Sequence, residues 1–101
     1  MSDFVKAAGV GEIPSGKGKI ITIDGRNIAL LNSDGNFYAI DNTCPHRGGS
    51  LGEGFVVGGI VTCPLHRWTF EVATGKCTIS PMAKVSCFEI KVEGDDVLVR
   101  A

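Results

Sequence analysis

Residues 19–40, KIITIDGRNIALLNSDGNFYAI, contain three β-rich runs separated by two Asp-Gly pairs. The runs cover residues 19–23, 26–31 and 37–40, and the pairs are Asp24-Gly25 and Asp34-Gly35. Asp-Gly between such runs favours a two-residue hairpin turn, because both central positions of that turn need a positive φ. This stretch therefore predicts a meander of three antiparallel strands.

The C-terminal part repeats the same kind of pattern. Apolar and charged residues alternate over residues 88–93, which places Phe88, Ile90 and Val92 on one face of a strand. A Gly94-Asp95 turn then leads into a last strand at residues 97–99. Only residues 10–13 suggest a local helical turn. The sequence predicts an all-β fold, an antiparallel sandwich or a barrel-like arrangement, that forms one domain over residues 1–101.

Composition limits the functions that the chain can have. Its 101 residues carry a net charge of −1, so no basic surplus supports nucleic-acid binding. The first residues lack the basic and apolar segments of a signal peptide, and no run approaches the ~18 apolar residues of a membrane span. A cytoplasmic location is expected, and four cysteines in a reducing compartment favour metal binding or catalysis over disulfides.

The middle of the chain concentrates the chemistry-bearing residues. Residues 41–59 are rich in glycine and are predicted to be tight loops rather than a packed element. Residues 44–49 (CPHRGG) and 63–68 (CPLHRW) each carry one cysteine and one histidine. Two such loops facing each other would make a four-ligand pocket from Cys44, His46, Cys63 and His66. Zinc is one candidate for this set, although zinc fingers usually keep their cysteines together in one half of the site.

The spacing C-x-H, sixteen residues, then C-x-x-H resembles that of Rieske iron–sulfur proteins. Cys44, His46, Cys63 and His66 match it one for one, and the resemblance extends over nearly the whole chain, through Tyr38 before the first loop and residues 68–75 after the second. It implies the Rieske fold, an all-β antiparallel sandwich with a small cluster-binding subdomain. It also implies a [2Fe–2S] cluster, with cluster-binding loops at about residues 41–84. It also implies that the cysteines bind the inner iron and the histidines the outer iron near solvent.

The resemblance also bears on the reduction potential. Two thiolates and two neutral imidazoles make the oxidised unit neutral, so reduction potentials rise to roughly −150 to +300 mV, against roughly −400 mV for all-thiolate ferredoxins. Members that work in cytochrome bc-type complexes carry a disulfide where this chain has Gly49 and Leu65, and hydroxyl donors where it has Trp68 and Phe70. These departures predict a potential at the low end of the Rieske range. Arg67 stands where many relatives have glycine, and its role stays open.

The function implied by the resemblance is that of a soluble one-electron carrier. It would pass electrons from a flavin-type or other reductase to a terminal oxygenase, and dock through His46, His66, Arg47 and Leu65. The alternatives are a small electron-transfer subunit of a nitrite reductase and, more remotely, a structural zinc module. No nucleophile with a base and no acid pair appears in the sequence, so the chain is not expected to be an enzyme by itself.

Two features remain outside this interpretation. Cys77 and Cys87 could form a second pair or complete an all-cysteine cluster, but are expected to be ordinary thiols, with Cys87 in a strand. Residues 11–17 nearly match a phosphate-binding loop. Gly18 stands where that motif requires Ser or Thr, and a strand is predicted to follow, so the match is attributed to chance.

Overall fold

A computed structural model describes residues 4–44, 48–65, 67–80 and 82–100. Its nine strands are β1 (Val5–Gly9), β2 (Gly18–Ile23), β3 (Arg26–Ser33), β4 (Asn36–Asp41), β5 (Phe55–Val57), β6 (Ile60–Thr62), β7 (Thr69–Glu71), β8 (Cys87–Glu93) and β9 (Asp96–Arg100). Two short 3-10 helices cover Val10–Glu12 and Leu51–Glu53. No helix within these ranges is long and apolar enough to cross a membrane.

The strands form two antiparallel sheets. Six of them lie in the order β1-β9-β8-β4-β3-β2, and the other three in the order β5-β6-β7. The predicted all-β, antiparallel fold is confirmed. The predicted strand position of Cys87 is also confirmed, because this residue begins β8 and lies opposite Ile40 of β4.

The meander predicted from residues 19–40 is present as β2, β3 and β4. Asp24 and Gly25 have φ values of 51° and 77°, and Asp34 and Gly35 have values of 53° and 90°. Positive φ at both central residues is the requirement of the type I′ hairpin turn, whose twist matches that of the flanking strands. The two Asp-Gly pairs therefore fix the register of β2 on β3 and of β3 on β4.

Strand β3 separates two apolar cores. Ile28 and Leu30 lie in one core, which also contains residues of β1, β4 and β9. Ala29 and Leu31 lie in the other, which also contains Phe70 and reaches the three-stranded sheet. Because side chains alternate between the two faces of a strand, both faces of β3 are buried. The second core is the one beside the cysteine-bearing loops.

The prediction that residues 41–59 contain no packed element is wrong. This segment holds the 3-10 helix Leu51–Glu53 and strand β5, which pairs with β6. Gly58 and Gly59, with φ values of 56° and 79°, form the tight turn between these two strands. Strands of only three residues are too short to show alternation in the sequence. Strand β1 was also not predicted, whereas the local helical turn expected at residues 10–13 is confirmed as Val10–Glu12.

Candidate metal centre

Two loops carry the described cysteines of the predicted site. Cys63 directly follows β6, and Cys44 lies three residues after the end of β4. The Asn42 side chain holds the first loop: its Oδ1 accepts the Gly52 N–H at 2.8 Å, and its Nδ2 donates to Ser50 Oγ at 3.0 Å. A buried amide with both ends satisfied fixes the direction in which the chain leaves β4.

The thiols of Cys44 and Cys63 meet inside the protein. Their residues are 1% and 0% exposed, respectively. Burial raises the pKa of the Cys63 thiol, and the neighbouring Cys44 thiol raises it further, whereas the Leu65 N–H that donates to the Cys63 sulfur lowers it. The cysteines predicted from two separate segments are therefore brought together, as the four-ligand interpretation requires.

Gly49 shows how closely the two loops approach each other. A Cβ at this position would lie 2.4 Å from Cys63 Sγ and 3.0 Å from Leu65 Cβ, so only glycine fits. The same loop closes on itself, because the Cys44 N–H donates to Gly49 O at 2.8 Å and the Gly48 N–H donates to Cys44 O at 2.8 Å. The facing arrangement expected for the two loops is thus present around Cys63.

The other two predicted ligands, His46 and His66, lie outside the described residues, as does Arg47. Within the described ranges, no group of three or more His, Cys, Asp or Glu residues could hold a metal ion. The structure thus brings together two of the four predicted ligands, and the complete set stays a prediction.

Residues after Cys63 anchor the second loop. The Cys63 N–H donates to Trp68 O at 2.7 Å, which closes the loop. Phe70 is fully buried and Trp68 packs against the same core. Arg67 has a φ of 57°, in the left-handed region that favours glycine, and its side chain is exposed. Sequence reasoning missed this backbone feature, although the glycine of many relatives at this position was a signal for it.

Cys77 and Cys87 are not joined to each other, since all four cysteines are free. Cys77 is buried, and its sulfur accepts the Ser80 N–H at 3.4 Å. Cys87 is exposed. Partial burial is the main cause that raises the pKa of its thiol, and the nearby Asp41 carboxylate raises it further. A raised pKa disfavours the reactive thiolate. The ordinary-thiol interpretation agrees with these surroundings.

Comparison with known proteins assigns the family. A family model described as the Rieske [2Fe–2S] domain matches residues 3–89. The chain belongs to the Rieske [2Fe–2S] family. This Rieske chain is 39% identical over 98 residues to the biphenyl dioxygenase ferredoxin subunit of Pseudomonas sp. (strain KKS102), with 95% of this chain and 90% of that one covered. It is 33% identical over 97 residues to the ferredoxin component of the naphthalene 1,2-dioxygenase system of Pseudomonas aeruginosa, with 95% and 93% covered.

Solved structures place the Rieske chain in the same group. A ferredoxin in a complex of reduced oxygenase and oxidized ferredoxin of carbazole 1,9a-dioxygenase superposes with a TM-score of 0.87 and 29% identity, covering 96% of this chain and 92% of that one. A Mycobacterium tuberculosis chain described as an NADH-dependent nitrite reductase small subunit has a TM-score of 0.90, at 23% identity and with 100% and 96% covered. The second likeness shows a shared fold only.

The cofactor of the Rieske chain is a [2Fe–2S] cluster, and the described residues fit it. Cys44 and Cys63 supply two buried, neighbouring thiols that are not joined in a disulfide. Thiolates are the ligands that iron–sulfur clusters use, and binding iron would replace the proton that burial favours on the Cys63 sulfur. Because Gly49 has no side chain, this position leaves space beside the Cys63 sulfur.

Proposed function

We propose that this Rieske chain is a one-electron carrier whose cluster is held by Cys44, His46, Cys63 and His66. The cysteines would bind the inner iron and the histidines the outer iron. Residues 1–101 would form one Rieske domain, with cluster-binding loops at about residues 41–84. The chain has no catalysis of its own, in line with relatives that are named as ferredoxin components of dioxygenase systems.

The contact between the buried thiols of Cys44 and Cys63 is the observation that carries this proposal. A [2Fe–2S] cluster supplies a reversible one-electron acceptor when it is bound at such a site. The protein excludes water from the two cysteines, and the Leu65 N–H donates to the Cys63 sulfur. A hydrogen bond to a ligand sulfur stabilises negative charge there, which favours reduction.

Other residues favour a potential at the low end of the Rieske range. Phe70 is buried without a hydroxyl, and the packed Trp68 has none either, so neither can donate an O–H to a cluster sulfur. Gly49 and Leu65 lie side by side where a disulfide could otherwise join the loops, and neither carries a sulfur. A low potential suits a carrier that delivers electrons to an oxygenase.

A reductase and a terminal oxygenase are the proposed partners, and the cytoplasm is the proposed location. The carbazole dioxygenase ferredoxin, with 29% identity, occurs in a complex with its oxygenase, which supports an oxygenase as the acceptor. The alternative, a nitrite reductase small subunit, is supported by likeness of fold only. The relatives at 30% identity or more that are named above are dioxygenase ferredoxins.

Purification without oxygen or chelator, followed by analysis of iron, acid-labile sulfide and zinc, tests the proposal. We expect a brown protein with iron and sulfide in equal amounts and no zinc. His46→Cys or His66→Cys should lower the reduction potential if the cluster survives, because a thiolate adds negative charge. Cys87→Ser is the matched control and should change neither the iron content nor the reduction potential. A colourless, folded protein that contains zinc would overturn the proposal.

A further inference from the structure

The outer face of the three-stranded sheet is more apolar than a solvent-facing surface requires. Val56, Val61 and Phe70 lie in register across β5, β6 and β7 and point into the core. The opposite side therefore carries Phe55, Thr62 and Thr69 in one row and Val57, Ile60 and Glu71 in the next. We call the β5 and β6 part of this side, Phe55, Val57, Ile60 and Thr62, the outer sheet face. Phe55 is 63% exposed and Val57 is 76% exposed.

A cavity connects this face to the cysteine loop. It has a volume of about 460 Å³ and is lined by Phe55, Thr62, Cys63, Pro64 and Arg67. Cavities of roughly 300–1,000 Å³ hold small ligands or large side chains. Leu65, which follows Pro64, is 42% exposed, so apolar surface continues from the outer sheet face to the loop of Cys63.

Two cations flank the cavity. Lys17 Nζ lies 5.5 Å from the centroid of the Phe55 ring, and Arg67 lines the cavity wall. Neither belongs to the four ion pairs found in the described part of the chain. Two acids lie nearby. Glu53 ends the 3-10 helix two residues before Phe55, and Glu71 lies opposite Ile60, in the row that does not contain Phe55, where its carboxylate accepts the Thr74 hydroxyl at 2.7 Å. Among the described residues that line the cavity there is one cation, Arg67, and no acid.

The backbone at Arg67 strengthens the case for a specific role. The left-handed region is unfavourable for a residue with a side chain, because its Cβ comes too close to the following carbonyl oxygen. Arg67 adopts this conformation with a φ of 57°, and it holds an exposed cation at the cavity. Strain of this kind is concentrated at functional sites, where the side chain is kept for what it binds.

We propose that the outer sheet face and its cavity bind an acidic segment, with an aromatic or aliphatic side chain, of the protein that exchanges electrons with this chain. The apolar side chain would occupy the cavity against Phe55, and Lys17 and Arg67 would pair with the carboxylates. Exposed aromatic residues beside a pocket and flanked by arginine are typical anchors of interfaces. This inference rests on the proposed function, and it places docking contacts on the sheet as well as at the cluster edge.

Fluorescence anisotropy with the iron-loaded full chain tests the inference. The probe is a fluorescein-labelled peptide of alternating glutamate and phenylalanine, and its control has lysine in place of glutamate. We expect only the acidic peptide to bind, with an affinity that falls as salt is added. The double variant Lys17→Glu/Arg67→Glu should weaken binding by roughly tenfold, since it replaces two attractions by repulsions. Phe55→Ser should weaken binding without removing its salt dependence.

Arg26→Glu is the matched control variant. Arg26 lies over the Phe88 ring at 5.4 Å, which repeats the cation–aromatic pair of Lys17 and Phe55 on β3 and β8 instead of beside the cavity. The Arg26→Glu variant should bind the acidic peptide with the same affinity as the wild-type chain. Equal binding of the lysine peptide, no binding of the acidic one, or equal losses for Arg26→Glu and the double variant would overturn the inference. Self-association that Phe55→Ser abolishes would assign the face to a second copy of the chain.

Iron content and reduction by dithionite separate this inference from the proposed function. All variants should hold wild-type amounts of iron and should be reduced as wild type is, because none of the changed residues is a proposed ligand. A chain without iron would refute the proposed function. An iron-loaded, dithionite-reducible chain with unaltered peptide binding in the double variant would refute only the docking surface.

Discussion

The two parts of the molecule are stabilised in different ways. We call the six-stranded sheet the body, and we call β5, β6, β7 and the loops of Cys44 and Cys63 the candidate metal-binding region. The sheet has strands of five to eight residues, and its hairpins are closed by tight turns. The candidate metal-binding region has three strands of three residues each, and single backbone bonds such as Val72 N–H to Gly59 O at 2.9 Å join its loops. We therefore expect the sheet to fold on its own pairing, whereas the candidate metal-binding region depends on links between loops, of which the proposed cluster site would be the strongest.

Cys63→Ser gives the largest expected effect and separates the two regions. Serine is a poor iron ligand, so iron and acid-labile sulfide should fall nearly to zero. The six-stranded sheet should persist, because Cys63 is not part of it. Metal analysis and far-ultraviolet circular dichroism measure the two outcomes. Cys77→Ser, at a buried cysteine outside the proposed ligand set, is the control. Full loss of β-structure would contradict the independence of the sheet.

Leu30→Ala weakens the six-stranded sheet and leaves the proposed ligands unchanged. Leu30 is fully buried between strands of the body. Its truncation should lower the free energy of unfolding by roughly 2–5 kcal/mol, through lost burial and a residual cavity. Iron per folded chain should stay at the wild-type level. Denaturant unfolding measures the free energy of unfolding. Val92→Ala, at an exposed position, is the control. Loss of iron from folded Leu30→Ala would show that the two regions are coupled.

Gly49→Ala tests the contact between the loops of Cys44 and Cys63. The added Cβ would stand 2.4 Å from Cys63 Sγ, so one loop must move. We expect a loss of roughly 1–3 kcal/mol of stability, as in other overpacked sites, and a lower iron content. Gly11→Ala is the control, because its Cβ would meet nothing within 4 Å and its φ is not positive. Thermal unfolding and iron analysis of both variants decide the point, and equal results would refute the close approach.

Glu12 gives the smallest effect, and it lies in the body. The Lys19 ammonium, followed by the Gly9 N–H, holds the pKa of the Glu12 carboxyl below its ordinary value of 4.5. The folded chain binds this proton less readily than the unfolded chain does, so the carboxylate stabilises the fold at pH values above 4.5. This contribution is lost as the pH falls through the lowered pKa. Unfolding measured at neutral and acidic pH should show a smaller acid-dependent loss for Glu12→Gln, and identical pH profiles would contradict the assignment.

Several parts of the fold could be predicted because their causes are local. Each Asp-Gly pair sets its own turn, and alternation in β8 is visible within six residues. Strands β5 and β6 were missed because three residues cannot show a period, although Gly58-Gly59 between Val57 and Ile60 was a readable hairpin signal. Strand β1 was missed for another reason, since it pairs with β9, at the far end of the chain.

The amino-acid sequence by itself determined the hairpins of the body, the all-β class and the cysteine and histidine pattern that marks the family. These depend on turn chemistry and on residue spacing, which are properties of neighbouring residues. Only the tertiary structure decided that Gly49 lies against Cys63, that Arg67 takes a left-handed backbone, and that Phe55 and Lys17 meet beside a cavity. The contacts among them join segments that are distant in sequence: Cys44 and Cys63 share one core with β3, and the Val56 N–H donates to Gly16 O at 3.0 Å beside Phe55 and Lys17.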